Sequence, residues 1–158
     1  MEASIVAAWW GAIVASIVLL WDIFKWATKG ARVSVSAAPN MQTLNPIEKK
    51  LDDNKLIFVE AINHGDMPTT ITHLVFFQYE SIFKKILKKA KNQGVITNPG
   101  AGCQIPFLLS PGCRWTGSID QNDIAEKLGT DGLFYCGVIH TSRKKPVLKR
   151  VDIDDKVT

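Results

Sequence analysis

Residues Ala3 to Trp21, ASIVAAWWGAIVASIVLLW, form an apolar run without a single charge, and no other feature of the chain restricts its fold so strongly. At about 1.5 Å per residue, a helix from Ala3 through Phe24 would extend about 33 Å, against roughly 30 Å for the hydrocarbon core of a bilayer. This predicts a transmembrane helix over residues 3–27 with a domain hung from it. A cleaved secretory signal would need a basic leading segment and a small-residue cleavage site. Only Met1 and Glu2 precede the run, and Trp21 to Lys29 offers no such site. A buried helix of a soluble domain, or a helix lying on a membrane surface, would carry a polar face. Here only Ser4, Gly11 and Ser16 interrupt the apolar one.

Aromatic and basic residues suggest the ends and direction of the span. Trp9 and Trp10 lie toward one end and Trp21 and Trp26 toward the other, as for indoles seated in the acyl boundary with their N–H near water. Lys25, Lys29 and Arg32 follow the helix and no basic residue precedes it, so the positive-inside rule predicts an outside N-terminus and a cytoplasmic domain. Ala7, Gly11 and Ala15 form a small-xxx-small row that would admit a second copy of the helix, a route to a homo-oligomer.

The remainder is long enough for one domain with a real core. The net charge of +4 has a local source: Ser81 to Lys91 carries five lysines and no acid, while the rest of residues 33–158 carries 11 basic and 13 acidic residues. A nearly neutral body argues against nucleic-acid binding. Cys103, Cys113 and Cys136 are odd in number and, in a cytoplasmic domain, should stay reduced. No zinc spacing and no phosphate-binding glycine loop occurs, so no metal and no cofactor is expected.

Alternation and turn residues then divide the chain. Arg32 to Ala37 reads as a strand and Pro39 to Asn54 as a long connection. Lys55 to Asn63 and Thr69 to Glu80 read as two inner strands joined by a hairpin-like turn. In the second, Ile71, His73, Val75, Phe77 and Tyr79 share one face, and Thr72, Leu74, Phe76 and Gln78 the other. SIFKKILKKAK, Ser81 to Lys91, reads as a short basic amphipathic helix stopped by Asn92-Gln93-Gly94, with Asn98 to Gly102 as loop. Cys103 to Leu109 reads as an edge strand, Arg114 to Asp120 as a strand, and Gln121 to Gly129 as a turn or two of helix. Leu133 to Thr141 and Pro146 to Ile153 read as a closing hairpin, and residues 154–158 as a frayed tail.

The predicted fold is mainly β: a transmembrane helix followed, over residues 32–153, by a seven-stranded sandwich with the basic helix inserted. FVEAINHGDMPTTITHLVFF, Phe58 to Phe77, resembles the paired strands of immunoglobulin-like domains, and LLSPGCRWTGSI resembles their later proline-glycine turn and strand. With the anchor, the chain is similar to uncharacterised bacterial single-pass membrane proteins that carry one immunoglobulin-like, fibronectin III-like β-sandwich domain. The resemblance implies a fold and a bacterial inner (cell) membrane location, and brings no catalytic residues with it. Tyr135 stands immediately before Cys136 rather than two residues before it, and Lys55 to Asn63 holds no cysteine, so a disulfide-free sandwich is implied.

The basic segment is the leading candidate site. In one reading Phe83, Ile86 and Leu87 touch lipid while Lys84, Lys85, Lys88, Lys89 and Lys91 bind anionic headgroups, each lysine contributing about 1 kcal/mol near an anionic leaflet. In the other, the apolar side packs on the sheet and the lysines are a solvated face. Trp9, Trp10, Trp21, Trp26, Lys25, Lys29 and Arg32 are the expected interface anchors. The functional expectation is a non-enzymatic interaction or scaffold protein whose partners are the lipid bilayer and a protein of unknown identity. The protein's contact points would be the Cys103 to Leu109 edge and the Gly65 to Pro68 turn. The alternative is a membrane-tethered small-ligand sensor or enzyme assembled from loops, with His64, His140 and Cys113 as its members.

Overall fold

The computed structural model describes residues 2–45, 50–100, 103–129 and 131–153. The expected tail 154–158 lies outside the described residues, as do residues 46–49 of the expected connection and residues 101–102 of the expected loop. The chain divides into two compact units, residues 1–30 and 31–158.

The first unit is helix α1, Glu2–Thr28. It is long and apolar enough to cross a membrane, and none of its apolar window is buried. Trp9, Trp10, Trp21 and Trp26 are each at least 63% exposed. Ser16 satisfies its hydroxyl within the helix by donating to the Ala12 carbonyl at 2.8 Å.

The second unit runs β1 (Val33–Met41), β2 (Leu44–Asn45), β3 (Lys50–Leu51), β4 (Leu56–Asn63), β5 (Thr69–Tyr79), α2 (Ile82–Ile86), β6 (Asn92–Ile96), β7 (Phe107–Leu109), β8 (Arg114–Asp120), α3 (Gln121–Leu128), β9 (Leu133–His140) and β10 (Arg143–Val151). Eight of these strands form two antiparallel sheets. One has the order β1-β4-β8 and the other β10-β9-β5-β6, with β7 also paired to β5; β2 and β3 make a separate ribbon. The expectation of seven strands is thus one short. β1 runs on to Met41, and the ribbon occupies part of what reads as a connection. Asn40 at φ 59° bends this stretch, and its amide and side chain pair reciprocally with the Gln121 carboxamide.

β4 and β5 do not form a hairpin. Both edges of β4 are taken, by β1 and β8, so β5 crosses to the other sheet and pairs with β9, β6 and β7. The register against β9 shifts between Ile71 and His73. The extra residue there reverses the alternation, so Ile71 joins Leu74 and Phe76 on the core side instead of siding with Val75 and Phe77.

The two sheets enclose one core. Ile57, Val59, Ala61, Trp115 and Ile119 of the smaller sheet meet Ile71, Leu74, Phe76, Leu109, Phe134, Cys136, Val138 and Val151 of the larger, with Ile124 of α3 added. Phe76 and Phe134 stack at 5.7 Å.

The sandwich has two distinct poles. Val33 at the start of β1 lies opposite Asn63 at the end of β4. Asn63 is fully buried and ties this pole together: its Oδ1 accepts from the Arg32 and Gly65 amides, and its Nδ2 donates to the Met67 and Leu109 carbonyls. Thr69 lies opposite Leu109, which places the start of β5 here as well. At the far pole, Met41 faces Leu56, Leu56 faces Asp120, and Tyr79 faces Leu133. There, buried Gln78 joins β5 to the α3–β9 connection by donating to the Asp131 carbonyl at 2.6 Å.

Candidate functional site

The segment from Ser81 to Lys91 leaves β5 at the far pole and returns as β6. Ser81 caps α2 by accepting from the Lys84 amide. The helix ends after Ile86, and Lys88 turns the chain at φ 54°. The Lys91 amide then donates to the Gln78 carbonyl at 2.8 Å, and Asn92 to Ile96 pair with β5. The helix expected over Ser81 to Lys91 is therefore a five-residue one. Asn92-Gln93-Gly94, expected as its stop, is strand, because the edge of β5 offers those residues backbone partners.

The apolar side of this segment does not pack on the sheet. Ile82 is 59%, Phe83 79%, Ile86 70% and Leu87 67% exposed, and α2 buries none of its residues. The segment is held instead by the ammonium groups of Lys84 and Lys85 and by its backbone. Lys85 places its Nζ 3.8 Å from the centre of the Tyr135 ring, a cation–π contact. Tyr135 meets Tyr79 edge-on at 5.7 Å, and Tyr79 stacks on Phe77 at 6.1 Å. Burial, reinforced by Tyr135, pushes the Tyr79 hydroxyl above its ordinary pKa. Lys84 pairs with Glu80, whose carboxyl it holds below the usual range. Lys88, Lys89 and Lys91 are exposed. Four large apolar side chains and a set of ammonium groups thus leave the domain surface together, an arrangement suited to an amphipathic, negatively charged surface.

Nothing local in the sequence indicates that Tyr135 would support this segment, since the two are fifty residues apart and meet only through the β5–β9 pairing. Asn63 reads as the last residue before a turn; its role as the hub of a pole depends on Leu109 and Arg32, which are distant in the chain. Among the expected interface anchors, Arg32 belongs to the second unit by its backbone, donating to Asn63 and accepting from the His64 amide at 2.8 Å.

The structure brings His64, Cys113 and His140 to one pole, near Asn63, whose amide donates to the Cys113 carbonyl at 3.2 Å. His64 is exposed and bonds Ser34 through Nε2 at 2.9 Å. His140 is buried, with Nδ1 3.1 Å from the Thr69 hydroxyl, which also bonds Ser142. Burial, with Arg143 nearby, lowers its pKa. His73 is exposed on β5 against Thr72. Among the described residues, no three His, Cys, Asp or Glu side chains are grouped to hold a metal ion. Cys103, Cys113 and Cys136 are free thiols, and Cys136 is fully buried, with its pKa pushed up to about 12 by desolvation.

No family model matches the chain, and no curated protein does. Among solved structures, a candidate ApaA protein from Bordetella pertussis is similar at 16% identity, with a TM-score of 0.38, over 80% of this chain and 92% of its own. A structural-genomics target called SoR45 is similar at 15% identity, with a TM-score of 0.34, over 81% of this chain and 89% of its own. Likeness at this level transfers neither fold class nor function.

Proposed function

We propose that this chain is a single-pass membrane protein, retained by α1, that presents an immunoglobulin-like sandwich of the fibronectin III kind at the cytoplasmic face of a bacterial cell membrane as a non-enzymatic interaction or scaffold module. The observation that carries the reading is α1 itself: twenty-seven residues of helix, exposed throughout its apolar window, with tryptophans near both ends. The strand order supports the domain assignment. β1-β4-β8 against β10-β9-β5-β6 follows the order A-B-E against G-F-C-C′ of immunoglobulin-like sandwiches. The expected protein partner would use a sheet edge, where β6 and β7 leave backbone groups on the margin of the larger sheet.

The test uses the exposed thiol of Cys113 in cells producing the full chain. The protein should resist alkaline extraction from membranes, and a membrane-impermeant maleimide should reach Cys113 only after permeabilisation. Release by alkali would remove the anchor; labelling in intact cells would invert the orientation.

A further inference from the structure

The place where the anchor enters the domain and the basic apolar segment lie at opposite poles of the sandwich. Arg32 is bound to Asn63, beside the start of β5, whereas Ser81 to Lys91 follows its end. The ten steps along the eleven residues of β5 separate the two by about 33 Å at roughly 3.3 Å per residue. Electrostatic attraction to a leaflet fades over about 8 Å at physiological salt. A domain standing upright on its tether would hold the lysines far outside that range.

We propose that the sandwich instead docks side-on to an anionic bilayer, pinned at one pole by the anchor and at the other by Ile82, Phe83, Ile86 and Leu87 with the lysines around them. The proposal rests on the anchor reading above and adds the second attachment and the orientation.

The side turned to lipid follows from the register. Phe134 and Cys136 point into the core, so Tyr135, with Lys85 over its ring, lies on the outer face of the larger sheet. Phe77 and Arg150 pair with Tyr135, Val75 and Leu148 with Gly137, and Val95 with Val75, so all share that face. An outer sheet face normally alternates to polar residues. This one carries Val95, 52% exposed, with Phe77 and Leu148 half-buried and Arg150 exposed around the buried Val75 and Tyr135.

A bilayer accounts for this surface better than a protein does. The cations of α2 and the residues after it are all lysines, point charges that suit headgroups. The apolar side chains stand out as a wedge rather than lining a cleft, and the chain carries its own bilayer-spanning candidate.

Hydrogen exchange of the full chain in nanodiscs, made of phosphatidylcholine alone or mixed equally with phosphatidylglycerol, tests the proposal. Amides of residues 82–91 should exchange about tenfold more slowly in the mixed discs. Replacing Lys88, Lys89 and Lys91 together by Glu should abolish that difference while leaving β9 protected. Equal exchange in the two discs overturns the docking. The anchor is read separately, because α1 should be protected in both discs: unprotected α1 defeats the anchor reading, and protected α1 with lipid-insensitive 82–91 defeats the docking alone. Slowing that requires added membrane proteins and not lipid would assign the surface to a protein and overturn the proposal. For orientation, with Cys103 and Cys113 replaced by Ser, a fluorophore on Val95→Cys should be quenched by headgroup-labelled lipid. One on Ser36→Cys, on the opposite sheet, should not. Equal quenching overturns the side-on arrangement.

Discussion

The Arg32 amide donates to Asn63 Oδ1 at 3.2 Å, so the residue that opens the domain is bonded to the side chain that organises the pole it enters. Asn63 is wholly buried, and its carboxamide serves two amides and two carbonyls. Removing such a group leaves buried polar atoms without partners, at about 1–3 kcal/mol each. Asn63→Ala should therefore destabilise the domain by about 2–4 kcal/mol. The denaturant dependence of Cys136 labelling, in a chain lacking Cys103 and Cys113, reads the loss; a change under about 1 kcal/mol would reject the role.

Gly137 lets β10 approach β9 more closely than any side chain would allow. A Cβ at this position would collide with the Val147 carbonyl oxygen and come within 2.9 Å of the Leu148 Cα, both backbone atoms that cannot rotate away. Gly137→Ala should cost about 3 kcal/mol, at the upper end of overpacking, and loosen the hairpin. Gly94→Ala is the control, since nothing lies within 4 Å of its Cβ position, and it should be neutral or mildly stabilising. Thermal unfolding of the two variants side by side decides the matter.

His140 makes the domain sensitive to acid. Its folded pKa is depressed below 6.5, first by burial and then by Arg143. Above pH 6.5 the imidazole is neutral in both states and the stability is fully present. Below it the unfolded chain binds the proton more readily, so stability falls until the pH passes the folded pKa, where the slope ends. Unfolding followed from pH 7.5 downward should show this decline, and His140→Gln should flatten it. An unchanged slope would place the acid sensitivity elsewhere.

The three thiols should react in order of exposure. Cys113 is exposed, Cys103 half-buried, and Cys136 buried with a pKa pushed up to about 12. At pH 8 a maleimide should modify Cys113 rapidly, Cys103 more slowly, and Cys136 only on unfolding. Mass spectrometry of timed aliquots provides the ranking; fast labelling of Cys136 in the folded chain would contradict the core placement.

Much of the local structure can be read from neighbours in sequence. The charge-free run at Ala3 to Trp21 lies in α1, the segments read as strands over Lys55 to Asn63 and Arg114 to Asp120 form β4 and β8, and the chain after Gly132 closes in a hairpin. The candidate segment is legible as basic and apolar, but its fate is not. Amphipathicity fits a helix packed on a sheet as well as one turned outward, and only the tertiary structure shows Phe83 and Ile86 exposed while Lys85 turns back onto Tyr135.

By itself, the sequence determined the apolar helix, the positions of the long strands and the concentration of lysines, because each depends on residues within a turn or a few steps of one another. The tertiary structure decided which strands share a sheet, how the bulge near Thr72 turns Ile71 inward, and that the basic segment stands at the pole opposite Arg32. Alternation fixes two faces of a strand but names neither the neighbour on each edge nor the face that meets the core. Those follow from pairing between segments distant in the chain, and no local window contains both partners.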